Sequence, residues 1–527
     1  MARKTKALPV DAPLLHPDHA RPITRRDFLR QGLISGSGVV MTGSLLGGLL
    51  HSPRARALSQ DIVEMANAAG CDLGSTGGTI PFICFDLAGG ANIAGSNVLV
   101  GGMGGQADFL NAAGYRKMGL PDNMLPSADP AFIDTTLGLL FHSDSAFLRG
   151  IKTASTGTDT GTPTFSGNVD GIVIPARSGN DTNTNPHNPM YGIAKAGAVG
   201  KVVTLIGSRN TDSGGNSIAP AMLMDPELRP TKVDRPSDVT GMVDTGSQNP
   251  VLPNDDVVRV MESITRISDQ KLTRPSIDTG LPNDQDIKNL VRCGYVGAAN
   301  IAEQFGGAGS IDPLDDPDIL AIFTNAGVDP NGNDRTAREL RKTASVMKMV
   351  IDGGADGVSY AGAGTVAMGG YDYHTGDRST GEQRDFLAGL CMGACLEYAA
   401  RKGKPLMLYV FSDGSLSSNG TVDNSPEGRG KGVWTGDNSS TAASFFLAYH
   451  PNGKPQPTIQ GRQIGAFTAD GSVITSSSPA ANNVNLLVNT VILNYMALNG
   501  MTGQFEILFP NHGLGNINNL VAIAPPA

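Results

Sequence analysis

In Gly369-Gly370-Tyr371-Asp372-Tyr373-His374, Asp372 and His374 are one residue apart, so in an extended segment both side chains leave the backbone on the same side. A carboxylate and an imidazole aimed together suit a hard or borderline divalent cation. Two further carboxylates stand where apolar runs end: Asp86 near the close of Ile80–Leu87, and Asp413 directly after Leu406–Ser412. Open α/β sheets place ligand sites outside the carboxyl ends of their strands. Asp86, Asp372, His374 and Asp413 are therefore the expected ligands of one divalent metal ion, of a kind the sequence does not specify. Such an ion polarises a phosphoryl or sulfuryl oxygen. Asn92, Asp437 and His187 are expected beside this set as supporting residues, and the turn at Gly89-Gly90 lets backbone amides approach an anion. Ser96, or Ser415 beside Asp413, offers a hydroxyl nucleophile. Each lone Asp after a strand has a plainer reading as a turn or helix cap. His142, His450 and His512 stand alone, the last in a polar loop.

The elements that must position these residues follow from periodicity. Ile80–Leu87, Lys201–Ile206 and Leu406–Ser412 are short continuous apolar runs ending in glycine or polar residues, the pattern of strands buried on both faces of a parallel sheet. Helical spacing occupies 256–272, 287–305, 337–351, 382–401 and 483–498, and Lys402-Gly403-Lys404-Pro405 stops a helix before the last of the three strands. Alternation of this kind predicts an α/β fold with a doubly wound, mostly parallel sheet and helices on both faces. Tracts 155–188 and 208–255 are rich in Thr, Asn, Asp, Gly and Pro without a sustained period, and are expected as long polar loop insertions.

The amino-terminal residues carry an address. Arg25 and Arg26 precede an uncharged stretch, Gln31–Leu50, and Ala55-Arg56-Ala57 supplies the small side chains of a peptidase site. This is the pattern of a twin-arginine export signal over 1–57, with the Tat translocase as partner during export and the periplasm or exterior as destination. Six of the twenty residues in that stretch are glycine, which makes it too weakly apolar to favour a lasting membrane span. Residues 58–527 are expected to form a single domain.

Residues 1–57 hold nine Lys/Arg and three Asp, so the remaining 470 residues carry a net −15 against −9 for the whole chain. That balance excludes nucleic acid and anionic lipid as partners. Cys71, Cys84, Cys293, Cys391 and Cys395 are scattered, and without any Cys-x-x-Cys they give no support to thiol redox chemistry, c-type haem or a zinc ribbon. Cys391 and Cys395, four apart on a helix, read as small buried packing residues. A Tat-exported oxidoreductase is disfavoured by the same absence of a Cys cluster, and no Gly-x-Gly-x-x-Gly follows the first strand.

The order of these features resembles a known family: an export signal, a strand ending in Gly89-Gly90, the element Gly370-Tyr371-Asp372-Tyr373-His374, a long helix, and a strand ending in Asp413-Gly414. It is similar to a Tat-exported domain-of-unknown-function family, number fifteen-oh-one, of the alkaline phosphatase and sulfatase superfamily. The resemblance spans 80–449 and is strongest at 370–374. It implies an alkaline-phosphatase-like fold and metal-assisted hydrolysis of phosphate or sulfate esters. This chain departs from the family pattern at Asn92, where an acidic residue is usual, at Ser412-Asp413-Gly414-Ser415, at Asp437-Asn438-Ser439, where an imidazole is usual, and at Asn185-Pro186-His187. A site short of charge and imidazole binds metal more weakly. The alternative expectation is thus a non-catalytic cell-envelope binding or scaffold protein with a degenerate metal site.

Overall fold

The apolar runs become strands of one sheet. The computed structural model describes residues 58–71, 78–179, 185–243, 254–274, 283–305, 311–353 and 357–527, together with the paired two-residue strands Gly48–Leu49 and Gly74–Ser75. Arg25, Arg26 and the expected cleavage site lie outside the described residues.

The strands that position the site are Phe82–Ala88 (β1), Val169–Pro175 (β2), Val203–Gly207 (β3), Thr231–Lys232 (β4), Ala361–Gly369 (β5), Leu406–Phe411 (β6), Leu416–Asp423 (β7), Lys431–Asp437 (β8) and Ala443–Tyr449 (β9). Seven of them form the central sheet in the order β2-β9-β6-β1-β5-β3-β4, while β7 and β8 pair as an antiparallel hairpin. Within the large sheet β9 runs antiparallel to both of its neighbours and the remaining pairs are parallel. The fold is α/β with a mostly parallel seven-stranded sheet. Its parallel strands aim their carboxyl ends at one edge, and there the candidate residues gather.

Among the helices are Gln60–Ala69 (α1), Ala146–Thr156 (α2), Met190–Lys195 (α3), Asn254–Leu272 (α4), Asp284–Phe305 (α5), Pro317–Asn325 (α6), Arg335–Ile351 (α7), Ser379–Lys402 (α8) and Val484–Leu498 (α9). Strand side chains alternate between two buried clusters. Ile83, Phe85, Leu408 and Val410 pack with Ile151 of α2, Met347 of α7 and Leu396 of α8. Phe82, Cys84, Met407 and Tyr409 pack with Ile193 of α3 and Val491 of α9. Burying such side chains contributes roughly 1.5–3 kcal/mol apiece, and the strands supply them from both faces.

Helices α2 and α8 approach backbone to backbone. A Cβ on Gly150 would lie 2.2 Å from the Phe386 carbonyl, and one on Gly389 would lie 2.1 Å from that of Phe147. Any larger residue at either position forces the pair apart. Cys391 and Cys395 are buried and free on α8, as packing residues should be.

Two segments differ from the sequence reading. Tract 155–188 contains β2, whose short run Gly171-Ile172-Val173-Ile174 is embedded in polar residues, and tract 208–255 contains β4 and a helix at Pro236–Met242. β5 reads Ala-Gly-Ala-Gly-Thr-Val-Ala-Met-Gly, a run of small residues that lies outside the three strands read from sequence. It is a strand beside β1 because its small residues admit α7: a Cβ on Gly364 would lie 2.6 Å from Val346 Cγ1 and 2.9 Å from Val350 Cγ2.

A third cluster joins α1, α4 and α5 through Ile62, Ala66, Val257, Met261, Val296 and Ala299, and a Cys71–Cys293 disulfide closes it across 222 residues of sequence. Such a bond persists in an oxidising compartment and not in the cytosol. Protein recovered after export should therefore resist alkylation at Cys71 and Cys293, whereas a double Arg25→Lys, Arg26→Lys variant retained inside the cell should be alkylated at both. Equal alkylation of the two preparations would contradict the export assignment.

Candidate functional site

β5 ends at Gly369, and Gly370, at φ +85°, takes a left-handed turn that few other residues adopt cheaply. The next residues alternate. Tyr371 and Tyr373 are buried, and their hydroxyls donate to the Arg384 carbonyl and to Asp385 Oδ1, each at 2.8 Å. The Asn92 amide donates to the Tyr373 oxygen at 2.8 Å. With the tyrosines pinned inward, Asp372 and His374 must face outward, and their side chains are 53% and 36% exposed.

The β7–β8 hairpin brings the third member. The Trp434 amide donates to the Asp377 carbonyl at 3.1 Å and the Gly376 amide to the Trp434 carbonyl at 3.0 Å, which stitches β8 to the segment after His374. Asp437 at the end of β8 then places Oδ1 3.2 Å from His374 Nδ1, while Asp372 Oδ1 lies 2.5 Å from the same nitrogen. One ligand atom from each of the three residues falls within 4.8 Å of the others. Two carboxylates and one imidazole at that separation fit the donor set of a divalent cation.

Asp86 and Asp413 form a second, buried pair, and the fold engages both oxygens of Asp86. Asp86 accepts from the amides of Asn216 and Ser217 at 2.6 and 2.7 Å and from the Ser217 hydroxyl at 3.1 Å. Burial, with the charge of Asp413 adding to it, pushes the Asp86 carboxyl up to about 6 against those donors. Asp413 Oδ1 accepts from the Gly89 amide at 2.7 Å. Gly89, at φ +121°, wedges between the two groups of acids: a Cβ there would stand 2.5 Å from the Asp372 nitrogen. The glycine turn thus sets the position of the Asp372 backbone relative to the Asp413 loop.

The other expected residues are structural in this arrangement. Asn92 is buried, with Oδ1 accepting from the Ser96 hydroxyl at 2.5 Å and Nδ2 donating to the Ala94 carbonyl at 2.9 Å. The Ser96 oxygen also accepts from Arg378 Nη2 at 2.8 Å, and Ser415 shares a 3.0 Å hydrogen bond with Thr441. Both hydroxyls are buried, so neither is presented to a substrate. His187 is buried, stacks on Phe411 and lies 2.9 Å from the Ser178 hydroxyl, a pairing the sequence reading missed because β2, which leads to Ser178, was hidden in a polar tract. Burial holds the His187 ring down at about 3.

Behind the hairpin lies a buried ion network. Glu382 meets Arg149 Nη2 at 2.6 Å, Arg378 Nη2 at 2.8 Å and Lys431 Nζ at 2.9 Å. Burial works to raise its carboxyl, but Lys431, Arg378 and Arg149 outweigh that and hold it down at about 2. The Arg378 guanidinium also lies 4.5 Å from the centre of the Trp434 ring. Lys431 opens β8, so this network fixes the strand that carries Asp437.

Two buried histidines yield a pH prediction. Burial lowers His142 to about 4, with Lys431 adding, and His187 to about 3. Below the ordinary value near 6.5 the unfolded chain takes up protons that these folded rings refuse, so they diminish stability as pH falls from about 6.5 toward 4. Nitrogen-15 spectra of histidine-labelled protein should show both rings neutral at pH 5, and a midpoint near 6.5 for either would contradict their burial.

Compared with known proteins, the chain matches no family model, no curated sequence and no solved structure. Among the described residues, no helix is long and apolar enough to cross a membrane.

Proposed function

We propose that this is an exported protein that holds a divalent cation at Asp372, His374 and Asp437 and uses it on an oxyanion ester of the phosphate or sulfate class. The observation that carries the reading is the convergence of those three side chains, from two separate chain segments, at the carboxyl edge of a parallel sheet. Three protein ligands leave room for water or substrate, and a cation there supplies Lewis-acid polarisation of an ester oxygen. The chain's own part is to orient the ligands through the pinned Tyr371 and Tyr373 and through the hairpin. Export is supported by Arg25 and Arg26 before an uncharged stretch and by the Cys71–Cys293 bond. The fold is read as doubly wound and alkaline-phosphatase-like on the order of its strands and its two buried clusters, and the resemblance at 370–374 points the same way.

The second reading, a non-catalytic envelope binding or scaffold protein, is favoured by the buried, hydrogen-bonded state of Ser96 and Ser415. Hydrolysis of aryl phosphate and aryl sulfate esters by exported protein, with divalent cations and with chelator, separates the two. Cation-dependent turnover that Asp437→Asn abolishes supports the enzyme. Cation binding without turnover of either ester leaves the scaffold.

A further inference from the structure

Three arginines converge on the glycines that precede Asp372. A Cβ on Gly370 would lie 3.3 Å from Arg335 Nη2 and 3.7 Å from Arg384 Cζ, and one on Gly369 would lie 3.7 Å from Arg209 Nη2. They arrive from separate places: Arg209 from the loop after β3, Arg335 from the first turn of α7 and Arg384 from α8. Arg209 is exposed, and Arg335 and Arg384 are half-buried.

Among the described residues, none of the three has a carboxylate within ion-pair distance, whereas Arg149, Arg378 and Arg429 each pair with Glu382 or Asp144. Arg335 Nη2 donates to the Gly369 carbonyl, and its Nε is buried without a hydrogen-bond partner. Like charges gathered about two glycines repel one another unless an anion lies between them. Guanidinium forks match the paired oxygens of phosphate and sulfate.

We propose that Arg209, Arg335 and Arg384 form a subsite for a tetrahedral oxyanion, the phosphoryl or sulfuryl group of the substrate, beside the Asp372, His374 and Asp437 trio. The assignment deepens the reading of that edge as an ester site, yet it stands on cationic groups that need no metal. It also places positive charge where residues 58–527, of net −15, would otherwise repel an anionic ligand.

The test is calorimetric titration of the mature, exported protein with inorganic phosphate and with sulfate, in chelator at low salt. The subsite predicts saturable binding at one site, weakened about tenfold by Arg209→Ala and by Arg384→Ala, as for loss of one charge-assisted hydrogen bond. Arg335→Lys, which keeps the charge and loses the fork, should weaken it less than Arg335→Ala, and His374→Ala should leave it unchanged. Tighter phosphate than sulfate names a phosphate ester, and the reverse names a sulfate ester. No saturable binding of either ion overturns the subsite, as does equal affinity in Arg209→Ala and Arg384→Ala proteins that melt like the parent. Binding seen only with added cation, and lost in His374→Ala, places the anion on the metal, which overturns the arginine subsite while leaving the cation site intact. Binding in chelator by a protein that takes up no cation has the opposite meaning.

Discussion

His374→Ala should lower divalent-cation affinity by roughly one to two orders of magnitude, at least the loss that follows removal of a residue merely supporting a ligand. The imidazole is the only neutral donor of the trio, and its Nδ1 sits 2.5 Å from Asp372 and 3.2 Å from Asp437. Asp372→Asn and Asp437→Asn should each weaken binding as well, because a carboxamide brings no charge to the cation. Asp86→Asn should not, since both Asp86 oxygens are already occupied by Asn216 and Ser217. Titration of the four variants with zinc and manganese checks this. Loss in Asp86→Asn with little change in His374→Ala would move the site from the exposed trio to the buried pair.

Glu382→Ala should destabilise the protein by about 3–5 kcal/mol, the cost of leaving buried partners without their counter-charge. The side chain is 3% exposed and faces three cations, of which Lys431 is fully buried. By contrast, Asp122→Asn, which breaks the exposed pair with Arg116, should cost less than about 1 kcal/mol. The pH dependence has a definite sign. The folded Glu382 carboxyl is held at about 2 from an ordinary value of 4.5, so its contribution is complete above about 4.5 and is lost as pH falls toward 2. Urea unfolding of the two variants at pH 7 measures the contrast, and similar losses for both would show that the network is solvated. Because Lys431 and Arg378 brace the hairpin, Glu382→Ala should also weaken cation binding through Asp437.

Part of this site is legible in sequence because it rests on local periodicity. Asp372 and His374 share a side through their spacing of two, which the alternation with Tyr371 and Tyr373 realises. Helices α8 and α9 lie within three residues of the spans read from their apolar spacing, and Asn483 caps α9. The rest depends on contacts that no local window contains. β5 does not read as a strand because its glycines serve the packing of α7 rather than an apolar run of its own. Asp437 reaches His374 only through a hairpin whose register has bulges, so its place beside His374 could not be read from Gly436-Asp437 alone. Glu382 draws its cations from positions 149, 378 and 431, and Cys71 finds Cys293 across 222 residues. Arg209, Arg335 and Arg384 carry no motif at all, and their convergence appears only once β3, β5 and α7 are assembled.

The most direct measurement is elemental analysis of the mature protein purified from the exported fraction, dialysed against a trace mixture of zinc, manganese, magnesium and calcium, with His374→Ala in parallel. The account predicts close to one equivalent of a single divalent metal in the parent protein and a sharp loss in His374→Ala. A parent protein that emerges without stoichiometric metal, and whose melting temperature chelator leaves unchanged, would contradict it.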